Sequence, residues 1–295
     1  MDYVLLTELA LNGVLVGLMY GLIALGIVLV YKTSGLANLA QGALAMAGGY
    51  VTVALTTLAG LPVWAAVAGA IALMFACGML IERVMLRRMI GQPVIMIIML
   101  TLGLEIFLRG VGPGIFGSAV KRLDLGIPQA PFIVGDMFFN RAYLLGGAIS
   151  ALLILATIWL FNSRIGIRMR AVSDDQGASW SVGIRVERMI AIAWGVAAAM
   201  AAAAGILWGS VQGVDWSLSL LLMKALAIAI LGGLDSIPGV LVASVIVGVA
   251  ESLATGVLDP LVGGGTRDIV ASLIIVVTLM LRPYGLYGRE HIERV

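Results

Sequence analysis

The sequence predicts an all-α polytopic integral membrane protein, with about eight or nine transmembrane helices and one short helix on its cytoplasmic side. Three observations carry that reading. Hydrophobic residues make up 61% of the chain, charged residues 12%, and the mean hydropathy is +1.10. A water-soluble domain holds about 25% charged residues and under 50% apolar ones, so a chain of this length could not hide its apolar surface from water. The apolar residues also form long uncharged runs, the stretch from Thr33 to Ile81 carrying no charge at all. Finally, the charge is gathered: SRIGIRMRAVSDDQGASWSVGIRVERM, Ser163 to Met189, holds eight of the 34 charged residues.

The uncharged runs give the spans in order. MDYVLLTELALNG contains Asp2 and Glu8 but no basic residue, so it lacks the basic start of a cleavable signal. The run from Leu9 to Tyr31 is long enough to cross about 30 Å of hydrocarbon, which makes 9–30 a retained first helix. Gly60-Leu61-Pro62 divides the next run into 36–59 and 63–81, and the basic turn ERVMLRRMIGQP follows. A fourth span covers 93–108. An external loop, about 110–141, is rich in Gly and Pro and ends near the extended-looking PFIVGDMFF. Further spans cover 142–161, 190–210, 217–232, 237–256 and 268–281, with the charged loop 163–189 between the first two. The runs 217–232 and 268–281 are short, as tilted helices or re-entrant pieces are. Residues 1–295 form one transmembrane domain.

Lys and Arg placement orients the bundle. With nine spans, twelve basic residues fall in cytoplasmic segments, Arg289 and Arg294 of the tail included, against five outside. The N-terminus is then external and the C-terminus cytoplasmic.

Within the spans, Gly13, Gly17 and Gly21 share one helix face, and Ser244, Gly248, Ser252 and Gly256 repeat the spacing. In lipid, small residues drive helix association by allowing close backbone approach. Polar residues are few. Asn38 and Gln41, at i and i+3, read either as interhelical hydrogen-bonding partners or as lining of a solute path. Lys224 is alone among apolar neighbours. Placing a lysine there costs roughly 2.5–3.5 kcal/mol, so it faces a cavity, water or a partner, in a structural or a gating role. Glu251 reads as a relay, a structural partner or an interface residue, and Glu105 with Arg109 as an i, i+4 pair. Asn38, Gln41, Lys224 and Glu251 are the candidate path residues.

Several functions are excluded or unsupported. One cysteine, Cys77, and one histidine, His291 in the tail, leave no hydrolytic triad, disulfide framework or metal cluster. The net charge of +2 gives no nucleic-acid footprint. None of the three lysines, Lys32, Lys121 and Lys224, follows a phosphate-binding loop pattern. The chain is therefore no ATPase, and it is expected to hold no cofactor or metal of its own.

In the charged loop, Ser173-Asp174-Asp175-Gln176 matches a capping box, and Gly183 suits a left-handed stop. A short helix over 174–182 is predicted, presenting Trp180 to a soluble partner or resting on lipid headgroups. Four segments then resemble one family: MYGLIALGIVLVYKTSGLANLAQGALAMAGGY, IGIRMRAVSDDQGASWSVGI, KALAIAILGGLDSIPGVLVASVIVGVAESL and RPYGLYGR. In this order and spacing they are similar to the permeases of bacterial branched-chain amino acid ABC importers, specifically the shorter of the two permease types.

The resemblance implies a bacterial inner-membrane importer subunit for branched-chain or other hydrophobic amino acids, or related small amides. It implies a second related permease, two ATP-binding subunits that bind ATP and Mg, and an external solute-binding protein. In that family the central loop is gripped by the ATPase. This assigns the contact to Arg170, Ala171, Ala178, Gly183 and Ile184, which match the family pattern, and the capping-box residues Ser173, Asp174 and Asp175 join them as candidate coupling residues. One departure is Gln41-Gly42-Ala43, where many relatives carry His-Gly-Glu. A carrier driven by an ion gradient, using Lys224, Glu251 or Glu105 as coupling groups, is the rival expectation.

Overall fold

The computed structural model describes residues 3–89, 92–128 and 130–288. Arg289, His291 and Arg294 of the expected tail lie outside the described residues.

Twelve α-helices account for most of the described chain. Six are long and apolar enough to cross a bilayer: α1 (Tyr3–Ser34), α3 (Val63–Val84), α4 (Val94–Phe116), α5 (Arg141–Asn162), α8 (Val186–Gln212) and α10 (Ile237–Val257). Three shorter apolar helices accompany them: α2 (Gln41–Thr57), α9 (Leu221–Gly232) and α12 (Thr266–Leu281). The rest are α6 (Arg164–Asp174), α7 (Gln176–Ser181) and α11 (Asp259–Val262). A hairpin of β1 (Phe132–Val134) and β2 (Met137–Phe139) forms where PFIVGDMFF predicted extended chain.

Burial shows which helices are central. The most apolar windows of α1 and α8 are 83% and 78% buried, those of α3 and α4 only 22%. The composition agrees: α8 carries the run Ala201–Gly205, whose small side chains admit close neighbours. The two small-residue faces that the sequence shows on α1 and α10 pack against each other. A Cβ on Gly17 would strike the Ser244 carbonyl, and one on Gly248 would strike the Gly17 Cα. In addition, Ser252 donates its hydroxyl to the Leu9 carbonyl at 2.7 Å.

Several boundaries differ from the prediction. The helix expected over 93–108 continues to Phe116, so the external loop begins at Gly117 rather than near 110. Pro113 sits in its last turn, where it forfeits a single backbone bond. The run 36–59 is helical only from Gln41, and 217–232 is a 3-10 segment, Trp216–Leu220, leading into α9.

These last two departures are linked. In one crossing the stretch 35–40 is irregular and α2 completes the span. In the other, 213–215 is irregular, Trp216–Leu220 is 3-10 and α9 completes the span. The breaks meet inside the bundle, where a Cβ on Gly42 would strike the Ser219 carbonyl. Non-helical backbone at membrane depth is tolerated only where protein or a water-filled cavity surrounds it. Here α1, α8 and α10 supply the protein.

Alternating directions sort the chain ends onto two faces. One face gathers the N-terminal end of α1, the hairpin and α11. Glu8 accepts from the Phe138 amide at 3.1 Å, tying α1 to the hairpin, and Lys121 pairs with Val214. The opposite face gathers the C-terminal ends of α1, α9 and α12 with the segment 163–189.

Candidate functional site

Three arrangements carry the polar residues of this apolar molecule. The first lies where the two broken crossings meet. The Asn38 side-chain carbonyl accepts from the Ala40 amide at 3.0 Å, turning the chain into α2. Its amide donates to Gln41 Oε1 at 2.9 Å, and Gln41 Nε2 donates to the Ala197 carbonyl of α8 at 2.8 Å. Both residues are fully buried. Gln41 thus makes an interhelical hydrogen bond to α8, whereas Asn38, which precedes α2, bonds to Gln41 and to the Ala40 amide ahead of the helix.

The second arrangement joins two residues that the sequence shows 27 positions apart. Lys224 Nζ of α9 lies 3.2 Å from Glu251 Oε1 of α10 and 3.1 Å from Asp268 Oδ1 of α12. Arg267 Nε lies 3.8 Å from Glu251 Oε2, and Lys224 Nζ sits 5.5 Å from the centre of the Tyr20 ring. Glu251 is 1% exposed, whereas the Asp268 side chain is 85% exposed. The network thus runs from the interior to the surface, with equal numbers of each sign. Arg267, Asp268 and Tyr20 were missed by sequence reasoning, since nothing local ties them to Lys224. Nearby, Thr266 donates its amide (3.0 Å) and hydroxyl to Asp259 Oδ1. The hydroxyl bond first, then the amide, holds the Asp259 carboxyl below its ordinary value. Glu105 and Arg109 pair as expected, at 3.5 Å.

The third arrangement is the charged segment 163–189. It is two helices rather than the predicted single helix over 174–182. Ser163 caps α6 by accepting from the Ile165 amide. Ser173 and Asp174 lie within the last turn of α6, so Ser173 is not a cap. Instead Asp175, in extended backbone, breaks the chain and caps α7, its carboxylate accepting from the Ala178 amide at 2.9 Å. A short acidic side chain also suits the positive end of a helix. The predicted stop is where expected. Gly183 has φ +82°, its amide donates to Trp180, and the Ile184 amide donates to Ser179. That pair of bonds is a Schellman motif.

The segment presents a shaped surface. Trp180 is 64% exposed and Val182 74%. Beside them a cleft of about 420 Å³ is floored by Ile165, Ile184 and Met189 and rimmed by Arg168, Arg185 and Arg188. Behind it, Met169 and Val172 of α6 are fully buried, and Arg170 Nη1 donates to the Phe161 carbonyl at 2.8 Å. α6 in turn packs against α5 and α1. Arg170, Ala171, Ser173 and Asp174 lie on α6, Asp175 and Ala178 at the start of α7, and Gly183 and Ile184 at its end.

The chain has relatives over nearly its whole length. A family model described as the permease component of a branched-chain amino acid transport system matches residues 9–281. The high-affinity branched-chain amino acid transport system permease protein LivH of Salmonella typhimurium is 33% identical, over 96% of each chain. LivH of Escherichia coli and the corresponding permease protein BraD of Pseudomonas aeruginosa are each 32% identical, again over 96% of each chain.

Proposed function

This chain belongs to the branched-chain amino acid transport permease family, and from that premise we propose that it forms the passage for branched-chain or other hydrophobic amino acids in an ATP-driven importer. Related small amides are a further cargo class. The chain supplies the membrane path, and separate subunits bind ATP and Mg. The assembly contains a second related permease, two ATP-binding subunits and an external solute-binding protein, and lies in a bacterial inner membrane. The face bearing Lys32, Arg170 and Arg185 is cytoplasmic, in keeping with the excess of basic residues there.

The observation that carries this reading is the double-capped α7, exposed on the basic face and continuous with α6, which packs on the bundle. A plain connector has no need of a capped helix with an exposed tryptophan. Closure of the ATP-binding pair presses on α7, α6 transmits the push, and the close-packed seam of α1 and α10 moves as a unit. Asn38 and Gln41 stand where the two interrupted crossings meet, an arrangement that lines substrate sites in other transporters. Their link to Ala197 parts when the path opens. Lys224 and Glu251 flank the same region. The rival ion-gradient carrier is not favoured, because the family is that of a transport-system permease component.

The deciding experiment is co-expression of the chain with the ATPase, sister permease and binding protein. The purified complex should hydrolyse ATP faster when the binding protein is loaded. Asp174→Lys with Asp175→Lys should abolish both ATPase co-purification and uptake. Survival of both would refute docking on this segment.

A further inference from the structure

The cleft beside α7 carries charge of one sign. Its rim holds Arg168 of α6 with Arg185 and Arg188 at the start of α8, and among the described residues no carboxylate lines it. Glu187, next to Arg188 in the chain, is outside the lining. All three arginines are exposed. Among the described residues, no ion pair or side-chain hydrogen bond engages their guanidinium groups. The floor is apolar and reaches Ile192, six residues beyond the first of α8 and so about 9 Å along its axis. Neighbouring helices set its depth. α5 ends at Asn162, and Trp159 in its last turn is exposed. An exposed tryptophan of a membrane helix settles at headgroup level. The arginines therefore stand in the headgroup layer, and Ile192 at the edge of the hydrocarbon.

We propose that this cleft holds the phosphate of an anionic phospholipid of the phosphatidylglycerol class, its acyl chains running past Ile192 along α8. Guanidinium groups take phosphate oxygens in bidentate pairs, and basic pockets between membrane helices on the cytoplasmic side bind anionic headgroups. Three cations with no carboxylate beside them leave an ethanolamine ammonium without a partner, which selects against a zwitterionic headgroup. The apolar floor selects against free phosphate, and the depth selects against an acidic loop of a soluble subunit. Arg168 belongs to α6, Arg185 and Arg188 to the chain entering α8. The bound lipid therefore clamps both ends of the segment that carries α7 to the membrane surface. Lipid binding here is independent of what the bundle transports.

The test is native mass spectrometry of the purified, delipidated full chain in detergent, with dioleoylphosphatidylglycerol as the probe. One molecule should be retained at concentrations where dioleoylphosphatidylethanolamine is not, and millimolar inorganic phosphate should not displace it. Arg168→Gln and Arg188→Gln should each weaken retention about fivefold, the effect of one basic residue at an anionic headgroup. Ile165→Trp fills the cleft with every charge in place. It should abolish retention while leaving the melting temperature unchanged, since Ile165 is exposed. Arg164→Gln removes an exposed arginine of the same segment that is outside the lining, and should retain the lipid as the wild type does.

Equal retention of the two lipids, or retention that survives Arg168→Gln, Arg188→Gln and Ile165→Trp, overturns the inference. Displacement by inorganic phosphate does so too, because it would make the cleft a site for a free anion. An equal loss with Arg164→Gln would reduce the binding to diffuse charge attraction. In complexes that co-purify with the ATPase, the lipid should still be carried. Its expulsion on docking would assign the three arginines to the protein partner instead.

Discussion

At the Lys224–Glu251 pair, removing one partner should cost more than removing both. The Glu251 carboxylate is almost wholly enclosed, and taking away the partner of a buried charge typically costs about 3–5 kcal/mol. Replacing both members with apolar residues of similar volume is often nearly neutral, because neither charge must then be desolvated. Lys224→Met alone should therefore lower the thermal midpoint in detergent markedly, and adding Glu251→Leu should restore much of it. Asp268→Asn should change little, since an exposed ionic partner contributes at most about 1 kcal/mol. A double variant as damaged as the sum of its singles would show that the two residues act independently, contrary to their 3.2 Å contact.

Among the elements, α7 gives the sharpest prediction. Ser173, Asp174 and Asp175 are all residue types that cap helices, so the sequence alone could not say where α6 ends and α7 begins. Backbone conformation decides it: Asp175 has φ −158° and ψ 113°, while Ser173 is helical. Asp175→Ala should fray α7, the loss of a cap costing about 1 kcal/mol, and should weaken ATPase co-purification. Ser173→Ala should leave it intact, and equal effects would restore the original capping box. The same contrast explains what was legible elsewhere. Apolar runs located the crossings because burial in lipid depends on composition, and the glycine and serine spacing marked the close-packing faces of α1 and α10, because close approach needs small residues, but not that the two faces meet. The interruptions at 35–40 and 213–220 were hidden, since an irregular crossing walled by other helices has the same composition as a helical one. Lys224 and Glu251 were each visible singly and Asp268 was not, because their partnership arises only when α9, α10 and α12 pack together.

For the whole molecule, the consequential property is which face meets the cytoplasm. The fold separates two sets of ends, with the hairpin and α11 on one side and the segment 163–189 on the other. Every ATP-dependent step in the proposed cycle needs the second set to be cytoplasmic. Cys77, the one cysteine of the sequence, makes this testable. In a Cys77→Ser background, one new cysteine would replace Asp136, exposed at the hairpin turn, and another Val182, exposed just after α7. A membrane-impermeant maleimide added to intact spheroplasts should label Asp136→Cys and spare Val182→Cys until the membrane is opened. Both positions are exposed, so poor reactivity from burial cannot imitate the result. Labelling in the reverse order would put α7 beyond the reach of any ATPase, and the coupling proposal would fail, leaving the packing of the bundle untouched.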